Sequence, residues 1–233
     1  MSYHNWFHEY FKLKHADSNT TDIIQDIFEL LESRSLEYLE NNEIYNELYV
    51  DPYIEVVNSK PQIIQQVKSE LWDFLELLVN KNVKKILQIG LGHYGSTQFC
   101  LSLICDKVVT VEYDIKNIRA YTDRELLYNQ NVEHFILGDS TDKDVIDEVK
   151  KFGEFDAVFI DGNHSYEFVK KDYLNYSNVV KEGGIVAFHD AFGNGERYGT
   201  PKVLQEIEGK IRFIKHSNEI GIGYFYKGTT ITV

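Results

Sequence analysis

The sequence predicts an α/β domain built on a mainly parallel sheet with helices on both faces. Three observations carry that prediction. From Val83 onward, short apolar runs alternate with helical patterns, as strands joined by crossover helices do. Two runs, Ala157–Ile160 and Ile185–Phe188, are apolar without alternation and stop abruptly at polar residues, the mark of strands buried on both faces. Between the first predicted strand, which ends at Ile89, and the next helical pattern lie Gly90, Gly92 and Gly95, the chemistry of a tight turn from strand into helix.

Residues 1–80 are rich in Glu, Asn, Tyr and Leu and read mostly as helix. Ile23, Ile24, Ile27, Phe28, Leu30 and Leu31 follow a helical period behind the cap candidates Thr20 and Thr21. A second helix is predicted from near Ser59, where Ser59 and Gln62 have capping-box spacing. Its apolar face is Ile64, Val67, Leu71, Phe74, Leu75 and Leu78; residues 46–60, which contain Pro52, read as a loop. Residues 1–60 are therefore taken as a helical extension that caps the pocket or forms an oligomer, and 61–233 as the main domain. Strands are predicted at 84–89, 107–112, 132–137, 155–160, 184–189, 211–216 and 221–227, and helices at 96–105, 116–129, 142–151, 166–180 and 201–208. No helix separates the last two strands, so they are expected to pair antiparallel.

With 233 residues and 43% hydrophobic content, the chain can build one substantial core. Its net charge of −13 is the wrong sign for wrapping a phosphate backbone, so nucleic acid is a poor candidate partner. The N-terminus lacks a basic-then-apolar leader pattern, and no apolar stretch is long enough to span a bilayer. Cys100 and Cys105 fall in one predicted helix, too few for a disulfide framework or a zinc site. A cytoplasmic protein with no membrane partner is expected.

Candidate site residues lie where the predicted strands end. In open α/β sheets ligands bind at the carboxyl ends of the strands. Gly90-Leu91-Gly92-His93-Tyr94-Gly95-Ser96 has the spacing of a dinucleotide turn and leads into a helix N-terminus with unsatisfied N–H groups. Glu112 ends the second strand, where an acid accepts hydrogen bonds from ribose hydroxyls. Asp139 and Ser140 end the third and suit an adenine edge or a helix cap. Asp161 and His164 follow the fourth, His189 and Asp190 the fifth. Adjacent strands lie about 4.8 Å apart, so these four would meet in one volume, the geometry of a metal or acid/base site.

The ordered set Gly-x-Gly, Glu112, Gly138-Asp139-Ser140, Asp161-Gly-Asn-His-Ser-Tyr-Glu167 and Gly183-Gly-x-x-x-x-His-Asp190 resembles class I S-adenosylmethionine (SAM)-dependent methyltransferases. More narrowly it is similar to the macrolide sugar O-methyltransferase and cephalosporin hydroxylase-like family, over roughly residues 62–226. The resemblance implies a Rossmann-like fold with a seven-stranded, mainly parallel sheet whose last strand is antiparallel. It implies that Gly90, Gly92, Ser96, Glu112, Asp139, Ser140 and Asp161 face the cofactor. Asp161, His189 and Asp190 would bind a divalent cation, magnesium by preference, and His164 would be the general base toward a small-molecule hydroxyl. This chain departs from the pattern twice: Gln88 replaces the acid usual before the first glycine, and His189 stands where metal-bound relatives carry an acid. Tyr94, Tyr166 and Tyr198 are candidates to border the pocket, and Phe192–Thr200, with three glycines, to form a lid.

Other chemistries fit parts of the pattern. His164 and His189 with Asp161 or Asp190 match the two-histidine, one-carboxylate set of non-haem iron oxygenases, though those sites normally sit in all-β barrels. A nicotinamide oxidoreductase would have no use for the downstream acidic cluster. A non-catalytic SAM-binding protein would bind the cofactor without turnover.

Overall fold

The computed structural model describes residues 3–41, 55–57, 60–62, 66–92, 95–122, 128–216 and 220–228. Two helices, α1 (Tyr3–Lys14) and α2 (Thr20–Asn41), precede a small antiparallel pair, β1 (Glu55–Val57) and β2 (Lys60–Gln62). The main body then runs α3 (Lys68–Asn80), β3 (Lys85–Ile89), α4 (Ser96–Ile104), β4 (Lys107–Glu112), α5 (Ile115–Thr122), β5 (Glu133–Leu137), α6 (Lys143–Lys151), β6 (Phe155–Ile160) and α7 (Tyr166–Tyr176). It closes with β7 (Val180–Phe188), α8 (Thr200–Glu206), β8 (Arg212–Ile214) and β9 (Ile222–Tyr226).

Strands three to nine form one sheet in the order β5-β4-β3-β6-β7-β9-β8. Neighbours among β3–β7 are parallel, while β9 runs antiparallel to both β7 and β8. Six strands thus share a direction and β9 opposes them, as the resemblance implied; the last two strands pair antiparallel as expected. Chain order reverses between β4 and β6 on either side of β3, so the crevice at the strands' carboxyl ends opens there.

Period-two alternation sorts the strand side chains into two cores. On one face Ile86, Val108, Ala157, Phe159, Ile185 and Ala187 pack with Leu71, Phe74, Leu75 and Leu78 of α3 and Phe99 of α4; Phe11 of α1 and Ile24, Ile27, Phe28 and Leu31 of α2 join the same cluster. On the other, Leu87, Val109, Val158, Ile160, Val186 and Phe188 pack with Val145 and Val149 of α6, Val169 and Tyr176 of α7, and Val203 and Leu204 of α8.

Several boundaries differ from the sequence reading. The helix expected from Ser59 starts at Lys68, and Gln62 lies in β2 instead; Ile64 and Ser59 lie outside the described residues. Pro61 sits in that short two-stranded pair, where a missing ladder donor is tolerated at an edge. The cap of α2 is Asn19 rather than Thr20 or Thr21, since the Asp22 N–H donates to Asn19 Oδ1 at 3.0 Å. Strand β7 begins at Val180, four residues earlier than expected, with a register shift against β6 between Phe155 and Ala157. Cys100 lies in α4 but Cys105 just past its end; both are buried free thiols whose pKa burial pushes up to about 12. No helix among the described residues is long and apolar enough to cross a membrane.

Candidate active site

A cavity of about 650 Å³ opens at the carboxyl ends of β3–β7, large enough for a nucleoside-sized ligand and a small second molecule. Gly90, Leu91 and Gly92 line one side. Gly90 has φ +92°, and a Cβ there would overlap the Asp161 carbonyl and Gly162 Cα, so the tips of β3 and β6 approach as only glycine permits. Glu112 is buried at the end of β4. Its Oε2 accepts the Leu91 N–H at 2.8 Å, and its Oε1 accepts from Asp114 N at 2.8 Å and Asn117 Nδ2 at 3.1 Å. One carboxylate therefore ties the glycine turn to the start of α5.

Asp139 and Ser140 also line the cavity. Asp139 Oδ1 accepts from the Thr141 N–H and hydroxyl, each at 2.8 Å, so it braces its own turn; Asp142 holds the cap position of α6 and makes no side-chain cap bond. Tyr176 Oη donates to the Ser140 carbonyl at 2.5 Å and pins the turn from α7. Ser96 opens α4 but is buried outside the lining, where Thr97 appears instead.

Asp161, His164, His189 and Asp190 do converge, because β6 and β7 pair in register at Ile160 and Phe188. His164 Nδ1 hydrogen-bonds Asp190 Oδ2, and that bond raises the imidazole pKa above 6.5 against the opposing effect of burial. Burial disfavours an ionised Asp190, but bonds from His164 and His189 outweigh it and hold the carboxyl well below its usual range. Asp190 itself has φ +58°, an uncommon conformation that Asp tolerates and that turns the chain as β7 ends.

His189 sits behind this pair. Its Nδ1 lies 3.2 Å from both Asp161 Oδ1 and Asp190 Oδ1, and its Nε2 3.6 Å from Glu70 Oε2 of α3. Burial opposes a charged ring, yet these carboxylates raise its pKa well above 6.5. The atoms placed to share a cation belong to Asp161, His164 and Asp190, all within 4.8 Å of one another. Of the expected set, Asp161 and Asp190 belong to this group and His164 is its third member, while His189 Nδ1 borders both acids from the buried side. Two carboxylates and an imidazole suit a divalent ion, with water or acceptor oxygens completing the shell.

Three contributors, Gln66, Glu70 and Arg197, were not anticipated, and Gln88 was noted only as a departure from the pattern. Gln66 Nε2 donates to Asp161 Oδ2, while Gln88 Nε2 donates to the Gly90 carbonyl at 2.7 Å. Both amide oxygens are buried without a partner among the described residues, and both residues line the cavity. Glu70 is wholly buried and accepts the Gly221 N–H at 2.5 Å. Arg197 lines the mouth beside Tyr198. A signal existed for Glu70, an acid on the apolar helix stripe with Phe74 and Leu78; Gln66 had none. Tyr198 borders the cavity as expected, Tyr166 is not among its lining residues, and Tyr94 lies outside the described residues.

Comparison with known proteins gives a consistent picture. Residues 87–191 match the family model for a methyltransferase domain. No curated protein matches the sequence significantly. Among solved structures, a candidate caffeoyl-CoA O-methyltransferase from Staphylococcus aureus is 20% identical with a TM-score of 0.61, covering 88% of this chain and 99% of that one. An O-methyltransferase from Bacillus cereus, bound to S-adenosylhomocysteine (SAH), is 14% identical with a TM-score of 0.57, covering 94% and 96%. The MycE methyltransferase of the mycinamycin pathway, bound to magnesium, SAH and mycinamycin VI, is 16% identical with a TM-score of 0.50; the match covers 69% of this chain and 51% of that one. The glycine turn, Glu112 and the Asp161–Asp190 cluster all fall within the matched methyltransferase-domain segment, and the chain around it has the Rossmann-like fold of these methyltransferase structures.

Proposed function

We propose that the protein transfers the methyl group of SAM to a hydroxyl oxygen of a small molecule, with His164 as general base. The single observation behind this reading is the His164–Asp190 pair in the same cavity as the glycine turn and Glu112. Bound SAM would supply an electrophilic methyl on a sulfonium. Gly90 and Gly92 would give its amino-acid and ribose portions close access to the backbone, Glu112 would accept from the ribose, and Asp139 with Ser140 would meet the adenine. The orphaned amide oxygens of Gln66 and Gln88 would accept from the ammonium.

A hydroxyl is a weak nucleophile at neutral pH and gains from losing its proton as it attacks. Asp190 occupies His164 Nδ1 and so leaves Nε2 to take that proton. The carboxylate orients the ring and stabilises the imidazolium that results, as the third member of such relays does. The acceptor oxygen would bond to the methyl carbon as the S–CH₃ bond breaks, the electron pair staying on the sulfur of SAH. Asp161 and Asp190 would hold a divalent cation, which would lower the pKa of an acceptor hydroxyl.

In this reading residues 61–233 form the transfer domain and residues 1–60 its helical extension, with two reduced thiols suited to the cytoplasm. Calorimetry with SAM, SAH and NAD, each with and without magnesium, tests it. Adenosyl compounds should bind and NAD should not, with magnesium changing the SAM response. Failure of every adenosyl compound to bind would overturn the proposal.

A further inference from the structure

We infer that the acceptor is anionic, carrying a carboxylate, sulfate or phosphate that Arg197 receives at the cavity mouth; this rests on the methyl-transfer reading above. Arg197 is the one arginine or lysine among the described lining residues. Its guanidinium lies over the Tyr198 ring, 4.4 Å from the centroid, and Nη2 donates to the Tyr198 hydroxyl. The Tyr198 ring in turn meets His164 edge-on, with centroids 6.0 Å apart. Two ring contacts thus separate the base from the cation, the reach of a small acceptor with its reactive hydroxyl at one end and its charge at the other.

The position of Arg197 is built into the fold. Two residues on, the Gly199 N–H donates to the His164 carbonyl at 2.7 Å, and a Cβ on Gly199 would overlap the Tyr166 backbone. The Tyr198 N–H donates to the Gly195 carbonyl at 3.1 Å and the Gly193 N–H to the Asp190 carbonyl at 3.0 Å. The segment carrying Arg197 is thereby tied at both ends to the residues of the reaction centre.

Charge supplies the second argument. The chain carries −13 overall, yet among the described residues Arg197 hydrogen-bonds the Tyr198 hydroxyl and no carboxylate. Glu206, on α8, is taken by Lys170 at 2.9 Å and by the Tyr166 hydroxyl at 2.7 Å. Lys202, 3.9 Å from the Tyr166 ring centroid, also acts on Glu206. Most of the guanidinium fork remains open, and a fork of that kind suits a bidentate oxyanion.

The experiment pairs charged and neutral probes on the SAH-loaded protein: glucuronate against methyl glucoside, 3,4-dihydroxybenzoate against catechol, and glucose 6-phosphate against glucose. Calorimetry should show tighter binding of at least one charged member, and R197Q should weaken it by about tenfold or more while SAH affinity stays unchanged. K181Q, which alters a distant cation paired with Asp156, should leave the preference intact. The inference is overturned if no charged probe outbinds its neutral partner, or if R197Q keeps the preference. Absence of SAH binding to the wild-type protein would instead sink the methyl-transfer reading itself.

Discussion

The two halves of the cavity are held by different means. On the β3–β5 side, Glu112 and Asp139 are each braced by main-chain N–H groups of their own or neighbouring turns. On the β6–β7 side, Asp161, His164, His189 and Asp190 are braced chiefly by one another. Main-chain donors neither titrate nor swing away, so the first half is a fixed receptacle. Mutual side-chain pairs share protons and charge, so the second half responds to pH and to any change in one member. Substitutions should therefore affect affinity and stability on the first side, and rate and pH dependence on the second.

The sharpest break of that contrast is His164→Ala, expected to reduce turnover by about 10²–10⁴-fold while SAH affinity by calorimetry barely moves. Equal losses in both would erase the division. Gly90→Ala should destabilise the fold by about 3 kcal/mol or more, because a Cβ meets backbone at a φ of +92°; thermal unfolding measures it. Glu112→Ala orphans the Leu91 and Asp114 N–H groups and should cost about 1–3 kcal/mol in stability, together with much of the SAH affinity.

Two further tests concern protons. A base must be deprotonated to act, and Asp190 raises the His164 pKa above 6.5, so kcat/KM should climb with pH through a midpoint above that value. Asp190→Asn should lower the plateau and move the rising limb toward lower pH; an unmoved limb would detach Asp190 from the base. The smallest expected effect lies on α7. Asp172 is wholly buried, and burial pushes its carboxyl pKa from 3.8 up to about 7. Its neutral form is favoured in the fold, so its contribution is full below 3.8 and is lost as pH rises through about 7. Asp172→Asn should be more stable than the parent at pH 8 by about 1–2 kcal/mol and gain little at pH 4, as chemical denaturation at the two values would show.

The strand-end motifs were legible because short apolar runs that stop at glycine and acid leave few alternatives: Ile86–Ile89, Ala157–Ile160 and Ile185–Phe188 are all wholly or nearly buried. Convergence of Asp161 with Asp190 followed from two adjacent strands. The place of His189 on the buried side of both acids could not be read so directly. It depends on Glu70 reaching across from α3 to meet His189, a contact between residues 119 positions apart in the chain. Gln66 was hidden for the same reason, since it read as part of a helix whereas it lies just ahead of α3 and lines the cavity. Spacing within one segment reports local geometry; which side chain backs another depends on packing between segments.

The close approach of Gly90 to Asp161 has a dynamic corollary. Asp161 N–H donates to the Ile89 carbonyl at 2.9 Å, and Gly90 N–H to the Val111 carbonyl, also at 2.9 Å, stitching three strand tips through adjoining peptide groups. Deuterium uptake at these amides should accordingly be slow and synchronous. Ligand exchange must then proceed by displacement of peripheral loops, with the floor of the crevice staying shut.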